Sequence, residues 1–320
     1  MSLRKEAVPL IKSMDDILNR AREIGGSGEP SRVAVAAAHD DAVIEAVVNS
    51  CREGIAVGIL FGDAVRINEM IEKHGGRPGD FTVVDTASDE AAAEGAAAVT
   101  SQGQADVVLK GILKTSTLLK NILSKKFNLR RKGLLSHTAV LSPRNYPKLL
   151  AVTDGGMVIK PNFEQKVEII KNAVLVGRSI GIERPRVAVI TPIDHVVKEF
   201  PETFEAAALS KMALRGQIKN CIIDGPMSFD TAVWPTAAEY QDIVSEVAGR
   251  TDIVLTSSIE EGNILAKSLV QFGDTSFAGV IIGANVPIAL VSRSDSAFNK
   301  LASIALAVVV AHFIKKRRVR

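Results

Sequence analysis

Short apolar runs alternate with longer amphipathic stretches along the whole length of the chain. Apolar runs of about four to eight residues, bounded by polar residues or glycine, are typical of buried strands, and the longer stretches between them have helical spacing. The predicted strands are Arg32–Ala38, Ile55–Phe61, Phe81–Asp85, Asp106–Lys110, Leu149–Thr153, Arg186–Thr191, Cys221–Asp224, Asp252–Thr256, Gly279–Ile282 and Pro287–Val291. This regular alternation predicts an α/β fold with a mainly parallel sheet.

Acidic residues mark the starts of two predicted helices. Asp40 and Asp41 precede the stretch Ala42–Cys51, and Asp89 opens an alanine-rich stretch that ends at Val99. Carboxylates are favoured at such positions because they accept hydrogen bonds from free N–H groups and face the positive end of the helix dipole. These signals support the assignment of helices between the strands.

The most apolar stretch, Leu301–Ile314, is predicted to be a packed C-terminal helix. It is shorter than the roughly 20 residues that a membrane span needs, and it contains Ser303 and His312. The basic tail after it, Lys315–Arg320, is interpreted as solvated and is given no role. Charges scattered through Met1–Arg20 leave no apolar core for a signal peptide, so a cytoplasmic protein without a membrane segment is expected.

The length of the chain predicts two domains. A chain of 320 residues with 47% hydrophobic residues has a large core, and single cores rarely grow beyond about 250 residues. The segment Ser136–Tyr146, with prolines close by, is the predicted first connection between the domains, and Gly273–Gly279 is the second. The first domain then comprises residues 1–140 and 280–320, and the second comprises residues 141–279.

One short sequence occurs in both halves of the chain. Arg32–Val35 and Arg186–Val189 both read Arg-Val-Ala-Val, each at the start of a predicted buried strand. Two α/β halves agree with this, although four residues are too few to establish a duplication.

Charge and cysteine usage restrict the classes of partner and of site. The chain has 39 Lys and Arg residues against 36 Asp and Glu, and this balance indicates small-molecule partners rather than nucleic acid. Cys51 and Cys221 lie far apart with no C-x-x-C motif, which supports neither a disulfide framework nor a zinc site. The five histidines have no metal-ligand spacing, so no bound metal is expected.

Common catalytic and nucleotide-binding fingerprints are missing from the sequence. It has no G-x-G-x-x-G motif after a strand, no Walker A motif, no H-E-x-x-H motif and no EF-hand loop. Gly177–Gly181 matches the G-x-S-x-G nucleophile elbow, but that motif needs a strand followed by a helix. Here the predicted helix Glu164–Val176 comes first, so Gly181 is interpreted as a helix C-cap.

A predicted strand-to-helix turn offers groups that bind anions. The strand Asp106–Lys110 breaks at Gly111, and the chain then passes through Lys114, Thr115 and Ser116 into a helix. Free N–H groups at a helix start, hydroxyl donors and two lysines suit a phosphate. A capped helix with surface lysines explains the same residues equally well.

Two further polar clusters follow predicted strands, where ligands bind in open α/β sheets. In the first, Asp224 and Asp230 flank Gly-Pro, either as turn caps or as groups that position a ligand. The second is Ser292–Ser296, in which Arg293 suits phosphate or acyl oxygens and Asp295 suits proton transfer. A salt-bridged helix cap is the alternative for the second cluster.

Taken together, these motifs resemble those of the phosphate acetyl/butyryltransferase family, and most of all its phosphate butyryltransferase branch. The residues that carry the resemblance span most of the chain: Val33–Asp41, Leu109–Gly111, Leu135–His137, Thr153–Asp154, Ala206–Leu209, Asp224–Pro226 with Asp230, Glu261–Asn263 and Ser292–Ser296.

The resemblance implies a reaction, a fold and an assembly. The reaction converts acyl-CoA and inorganic phosphate reversibly into acyl phosphate and coenzyme A, by direct attack in a ternary complex, with acyl groups from acetyl to butyryl. The fold has two three-layer α/β domains with a cleft between them, like that of isocitrate and isopropylmalate dehydrogenases. A homodimer or higher homo-oligomer is expected, with acyl-CoA and phosphate as partners and no permanently bound cofactor.

The resemblance also implies roles for particular residues. Arg293 would hold phosphate or the acyl carbonyl, Ser292 would stabilise the tetrahedral oxyanion, and Asp295 is the candidate acid/base for the CoA thiol. This chain departs from the acetyl branch, whose proposed catalytic carboxylate falls where this sequence has Asn299. The candidate phosphate- and acyl-binding residues are Lys110, Thr115, Ser116, Ser136, Asp224 and Asp230. The candidate CoA-binding residues are Gly262, Asn263 and Lys267.

Two alternative functions remain open at this point. A metal-dependent decarboxylating dehydrogenase of related fold would use carboxylates such as Asp224 and Asp230, but it needs an arginine cluster and a nucleotide loop that the sequence lacks. A non-catalytic protein that binds acyl-CoA or phosphate would have no need of the proton-transfer group Asp295.

Overall fold

The chain divides into two compact units in a computed structural model that describes residues 8–28, 30–131, 133–291 and 295–318. Unit I comprises Met14–Gly133 and Phe277–Arg320, and unit II comprises residues 8–13 and Leu134–Ser276. Unlike these units, the predicted domains place the whole amino terminus in the first domain. That division into folding domains stays a prediction.

Unit I contains six strands that are hydrogen-bonded side by side in the order β3-β2-β1-β4-β11-β10. Its strands are β1 (Ser31–Ala36), β2 (Ala56–Gly62), β3 (Thr82–Asp85), β4 (Val107–Lys110), β10 (Ser276–Ile282) and β11 (Ile288–Ala289). All neighbouring strands are parallel except β10 and β11, which form an antiparallel pair. The carboxyl ends of the parallel strands therefore meet at one edge, called here the carboxyl edge of unit I.

Helices cover the sheet of unit I in two groups. They are α1 (Met14–Gly26), α2 (Asp41–Arg52), α3 (Ala64–Lys73), α4 (Asp89–Ser101), α5 (Thr115–Ile122) and α11 (Ala297–Arg318), with a short 3₁₀ helix at Pro78–Asp80. Helix α11 packs against α1 and α2, whereas α4 packs against α5 and the strands β1 and β2. Gly95 permits the close approach of α4, because a Cβ atom there would lie 2.6 Å from the Phe61 ring.

The predicted capping signals are confirmed where the helices begin. The Asp40 side chain accepts a hydrogen bond from Val43 N and caps α2. Asp89 lies in the first turn of α4, whose cap is the preceding residue Ser88. Each of these oxygens satisfies an N–H group that has no partner within its helix.

Helix α11 is the core helix of unit I. By length and composition it meets the requirements for a membrane span, yet 72% of its most apolar window is buried inside the fold. The predicted helix Leu301–Ile314 is confirmed as part of this longer element. Burial of its apolar surface removes it from water and stabilises unit I.

Unit II contains five strands that are hydrogen-bonded side by side in the order β5-β6-β9-β7-β8. Its strands are β5 (Ser136–Ser142), β6 (Leu150–Thr153), β7 (Arg186–Ile190), β8 (Ile222–Met227) and β9 (Ile253–Leu255). Strands β6, β9, β7 and β8 are parallel, and β5 is antiparallel to β6. The edge at which β6, β9, β7 and β8 end is called here the carboxyl edge of unit II.

The helices of unit II bury a second apolar core. They are α6 (Phe163–Ser179), α7 (Glu202–Leu214), α8 (Phe229–Val233), α9 (Pro235–Tyr240) and α10 (Ile259–Phe272). Helix α6 packs on β5, β6 and β9, and α7 packs on β8. The core includes Ile169, Ile170, Val187, Leu209 and Ile253, all with 0% exposure.

The repeated Arg-Val-Ala-Val sequence occupies equivalent positions in the two sheets. In unit I, Arg32 N donates to Asp106 Oδ2 over 2.9 Å, and Asp106 N donates to Arg32 O over 2.8 Å. In unit II, Arg186 and Asp252 form the same reciprocal pair, at 2.8 and 2.9 Å. Each aspartate lies directly before its own strand and thereby bonds that strand to the start of its parallel neighbour.

All ten predicted strands are present, but an eleventh was missed. The segment Ser136–Tyr146, predicted to connect the domains, contains the buried strand β5 over Ser136–Ser142. Its first residues are polar, and they are buried because they bond to neighbouring elements. A prediction from apolar patterning cannot detect a strand of this kind. The second predicted connection, Gly273–Gly279, overlaps the start of β10 at Ser276.

The G-x-S-x-G match is a helix end and not a nucleophile elbow. Helix α6 ends at Ser179, whose Oγ donates to Val176 O over 2.7 Å, and the side chain is buried. Gly181 follows with a φ angle of 90° and lies against the backbone of Pro9 and Leu10. The predicted role of Gly181 in ending the helix is confirmed.

Leu306→Ala is expected to destabilise the protein by about 2–5 kcal/mol, because Leu306 has 0% exposure in α11 and its loss leaves a cavity. Urea unfolding followed by circular dichroism measures the effect. Val65→Ala, at a side chain with 68% exposure, is the control and should change stability by less than about 0.5 kcal/mol. Equal effects of the two substitutions would contradict the assignment of α11 as a core helix.

Candidate active site

Several motif residues lie at the carboxyl edge of unit I. His39, Asp40 and Asp41 follow β1, and Lys110 is the last residue of β4. Ligands in open α/β sheets bind outside the carboxyl ends of the strands, so this edge has the expected location for a site.

The turn after β4 depends on a glycine. Gly111 N donates to Ala36 O over 2.9 Å, and a Cβ atom on Gly111 would lie 2.0 Å from Ala37 O. No other residue fits at this position without moving the backbone. The glycine therefore holds the loop that leads from β4 to α5 against the end of β1.

Lys110 is oriented along the same loop. Its Nζ atom donates to the carbonyl oxygens of Gly111 and Leu113, each at 3.0 Å. Lys114 is the N-cap residue of α5 without a side-chain hydrogen bond to the helix, and Thr115 and Ser116 form the first turn. The structure thus brings a lysine ammonium group to the loop that precedes a helix start, which is the arrangement predicted to bind an anion.

The Ser292–Ser296 cluster is described only in part. Ser292, Arg293 and Ser294 lie outside the described residues. Asp295 is half-buried two residues before α11, and Lys300 Nζ donates to its backbone carbonyl.

Asn299 has a structural partner in unit I. Its Oδ1 atom accepts a hydrogen bond from Phe277 N over 3.1 Å, and its own N–H donates to Ser296 Oγ over 3.2 Å. Asn299 thus joins the first turn of α11 to β10. The amide of Asn299 thus serves the packing of the helix.

A second group of motif residues lies at the carboxyl edge of unit II. Because β5 runs antiparallel to β6, the start of β5 lies beside the end of β6. His137 is thereby adjacent to Thr153 and Asp154, and Thr153 Oγ1 donates to His137 O over 2.7 Å. Two motifs that are distant in sequence are brought together here.

Asp154 is buried and accepts hydrogen bonds from three backbone N–H groups. His137 N donates to Oδ2 over 3.1 Å, and Gly156 N and Met157 N donate to Oδ1, each over 2.8 Å. The side chain is 2% exposed. Burial raises the pKa of the Asp154 carboxyl, and the backbone donors act in the opposite direction.

The first turn of α10 packs on the residue after Asp154. A Cβ atom on Gly262 would lie 2.6 Å from Asp154 O, and one on Gly155 would lie 2.8 Å from the Gly262 carbonyl carbon. Asn263 Nδ2 donates to Gly155 O over 3.1 Å. Asp154, Gly155, Gly262 and Asn263 form one packed group, called here the Asp154 cluster.

His137 is neutral over most of the pH range. Its ring packs against Gly156, where a Cβ atom would lie 3.0 Å from the ring. Burial lowers the pKa of the imidazole from 6.5 to about 4, because a charged ring would lose its hydration.

Three of the predicted phosphate- or acyl-binding residues lie elsewhere in unit II. Ser136 is fully buried, and its Oγ accepts from Asn172 Nδ2 over 2.9 Å. Asp224 lies within β8 and accepts from Gly225 N over 2.9 Å. Asp230 is exposed at the start of α8, and a hydrogen bond from Ser228 lowers the pKa of its carboxyl.

The third predicted CoA-binding residue, Lys267, is exposed on α10, beyond the turn that contains Gly262 and Asn263. Within the part of the chain that the structure describes, no three His, Cys, Asp or Glu side chains are grouped to hold a metal ion.

Neither Asp154 nor His137 was predicted to have a role, although both belong to the motifs of the resemblance. Asp154 could have been identified from its position directly after a predicted strand, because other candidate residues were chosen for positions of that kind. The available signal for His137 was weaker, because the strand that it begins was not predicted.

Comparison with known proteins identifies the family. Residues 90–308 match the family described as phosphate acetyl/butaryl transferase. The chain is 39% identical over 302 residues to the phosphate butyryltransferase of Clostridium acetobutylicum. The aligned residues cover 94% of this chain and 99% of that protein. The chain is 41% identical over 284 residues to the phosphate acetyltransferase of Thermotoga maritima, covering 89% of this chain and 96% of that protein.

Solved structures agree with this result. A branched-chain phosphotransacylase from Enterococcus faecalis has a TM-score of 0.78 and 27% identity, covering 88% of this chain and 99% of that one. A 4-hydroxythreonine-4-phosphate dehydrogenase from Burkholderia phymatum has a TM-score of 0.57 and 14% identity, covering 88% and 99%, and shows the fold alone. The predicted α/β class and its relation to a dehydrogenase fold are confirmed.

Fold and sequence together define an α/β acyltransferase that acts with phosphate. The chain belongs to the phosphate acetyl/butyryltransferase family and is an enzyme.

Acid is expected to destabilise the protein through His137. Between pH 6.5 and about 4 the unfolded chain binds a proton that the folded chain does not, so the free energy of unfolding falls as the pH falls. The full difference amounts to about 3 kcal/mol. Urea unfolding at several pH values measures it, and His137→Gln should flatten this part of the profile.

His195→Gln is the matched control, because His195 is exposed and its replacement should leave the profile unchanged. A profile that keeps its slope in His137→Gln would show that His137 does not cause the loss of stability in acid.

Proposed function

We propose that this enzyme transfers acyl groups from acetyl to butyryl reversibly between coenzyme A and inorganic phosphate. The observation that carries the proposal is the likeness over nearly the full chain to a phosphate butyryltransferase, together with a similar likeness to a phosphate acetyltransferase. The two names differ only in the acyl group, which supports a short-chain substrate.

The proposed chemistry is direct attack within a ternary complex. An oxygen of inorganic phosphate attacks the thioester carbonyl carbon, and a C–O bond forms as the carbonyl becomes a tetrahedral oxyanion. The oxyanion collapses, the C–S bond breaks, and the CoA sulfur leaves with the bonding pair and takes up a proton. Positioning of the reactants and stabilisation of the oxyanion supply the rate, without a covalent enzyme intermediate.

Arg293, Ser292 and Asp295 are the proposed catalytic residues. Arg293 holds phosphate or the acyl carbonyl, Ser292 donates to the oxyanion, and Asp295 exchanges the proton with the CoA thiol. The support is the resemblance of Ser292–Ser296 to the family motif. The position of Asp295 two residues before α11 agrees with it.

Lys110, Thr115 and Ser116 are the proposed phosphate-binding residues. The orientation of Lys110 along the loop into α5 supports them, because the ammonium group, the hydroxyls and the helix N–H groups all suit an anion. Asp224 and Asp230 would position substrate rather than bind phosphate directly, since carboxylates repel it. Ser136, which already accepts a hydrogen bond from Asn172, stays a prediction.

Gly262, Asn263 and Lys267 are proposed to contact coenzyme A. Their support is the family motif Glu261–Asn263 and the position of two of them at the start of α10. No permanently bound cofactor is proposed. The enzyme is proposed to act in the cytoplasm as a homodimer or higher homo-oligomer, with neither nucleic acid nor a membrane as partner.

Phosphate-dependent release of CoA thiol tests the proposed function. Acetyl-, propionyl- and butyryl-CoA are incubated with enzyme and EDTA, with and without phosphate, and free thiol is measured with a thiol reagent. We expect release that requires phosphate and persists in EDTA. Folded protein that releases no thiol from any of the three would favour a binding protein, and release only without EDTA would favour a metal-dependent reaction.

Arg293→Ala is expected to lower kcat/KM by about 30- to 1000-fold, because loss of a charged contact to the transition state costs about 2–4 kcal/mol. The thiol assay with saturating phosphate measures the change. Arg66→Ala, at an exposed residue of α3, should leave kcat/KM within about twofold. Turnover in Arg293→Ala within a few-fold of the parent would remove Arg293 from the catalytic residues.

A further inference from the structure

A buried carboxylate at the carboxyl edge of unit II has no role in the chemistry proposed above. Asp154 is 2% exposed, and the ion pairs found among the described residues do not include it. Its charge is stabilised by the three backbone N–H groups of His137, Gly156 and Met157. Such a carboxylate is costly to bury, and here it determines the path of the loop that follows it.

The loop after Asp154 is attached to α10 at two points. At its start, Asn263 Nδ2 donates to Gly155 O over 3.1 Å. At its end, Ile259 N donates to Ile159 O over 2.9 Å. The first turn of α10 therefore lies along the loop from Gly155 to Ile159, and a shift of one requires a shift of the other.

Glycines permit this contact. A Cβ atom added to Gly155 would lie within 3.0 Å of the Gly262 backbone, and one added to Gly262 would lie within 3.0 Å of the Asp154 and Gly155 backbone. Solvent exposure then increases along the loop, from buried Gly155 through half-buried Gly156 and Met157 to exposed Ile159. The loop thus reaches solvent beside the first turn of α10, which contains two of the proposed CoA-binding residues.

The chemistry of this surface suits the uncharged arm of coenzyme A better than phosphate. The charged residues of the Asp154 cluster and of the first turn of α10 are acidic: Asp154, Glu260 and Glu261. Carboxylates repel phosphate, whereas an uncharged amide is not repelled by them. The pantetheine arm of coenzyme A carries two amide groups.

We propose that Asp154 is a positioning residue for acyl-CoA: it fixes the loop Gly155–Met157 and, through Gly155, the first turn of α10 that contains Gly262 and Asn263. This inference rests on the proposed function for the identity of the ligand. Asp154 itself touches neither substrate, and its effect is transmitted by the backbone groups that it holds.

Steady-state kinetics with both substrates varied separates positioning from general destabilisation. In Asp154→Asn, the carboxylate is replaced by an amide whose NH₂ group faces backbone donors, so the loop loses a fixed path. We expect the KM for acyl-CoA to rise by about tenfold to a hundredfold, because misplacement of binding groups by about 1 Å has effects of this size. The KM for phosphate should stay within about twofold.

Asp252→Asn is the matched control. Asp252 is 4% exposed, lies in the same unit and accepts a backbone N–H bond from Arg186, but it does so at the amino end of β9. Its replacement should lower the urea midpoint and leave both KM values within about twofold. Similar kinetics in the two variants, or equal rises in both KM values of Asp154→Asn, would overturn the inference.

Amide hydrogen exchange gives a readout that needs no turnover. The amides of Gly156 and Met157 should exchange faster in Asp154→Asn than in the parent, and at the parent rate in Asp252→Asn. Unchanged exchange in Asp154→Asn would show that the carboxylate does not hold the loop.

A second variant covers the case in which Asp154→Asn does not fold. Gly155→Ala keeps the carboxylate and forces the loop away from the first turn of α10, because the added Cβ atom would lie 2.8 Å from the Gly262 carbonyl carbon, and it should raise the KM for acyl-CoA by about threefold to tenfold. An unchanged KM would overturn the inference.

Calorimetry of CoA binding distinguishes failure of this inference from failure of the proposed function. A parent enzyme without turnover contradicts the proposed function alone. Weaker binding of CoA in Asp154→Asn than in Asp252→Asn would then still support the positioning role, and equal binding would overturn it.

Discussion

Parallel strands need cover on both faces, and this requirement governs the architecture of each unit. The central strands β1 and β4 are buried, with Val35, Val107 and Val108 at 0% exposure, so helices must lie on both sides of them. Helix α11 meets that need in unit I, and α6 and α7 pack on the sheet of unit II. Because the faces are apolar, the polar groups of the sheets are left at the strand ends.

The two ends of the strands use carboxylates differently. At the amino ends, Asp106 and Asp252 pair reciprocally with Arg32 and Arg186, and each also forms an ion pair with a lysine. These pairs hold neighbouring strands in register. At the carboxyl edge of unit II, Asp154 instead accepts hydrogen bonds from the N–H groups of a loop and of a strand start. The first use stabilises the sheet, and the second shapes the surface where ligands of such folds bind.

The departure at Asn299 shows how a motif position can change its role. Its amide oxygen accepts the Phe277 N–H group and so joins α11 to β10. An amide is suited to this contact because it carries no charge to be desolvated at a half-buried site. The side chain of Asn299 therefore serves the packing of α11 on β10.

The sequence by itself determined the α/β class, the ten predicted strands and the helix starts at Asp40 and Asp89. These features are local, because apolar periodicity and capping depend on residues within a few positions of each other. The motif residues also identified the family. Strand β5 and the Asp154 cluster were decided only by the tertiary structure. Ser136 and His137 are polar, and they are buried only because β5 pairs antiparallel with β6 and thereby meets Asp154 from another part of the chain. Contacts of this kind depend on the pairing of distant segments, and no local pattern records that pairing.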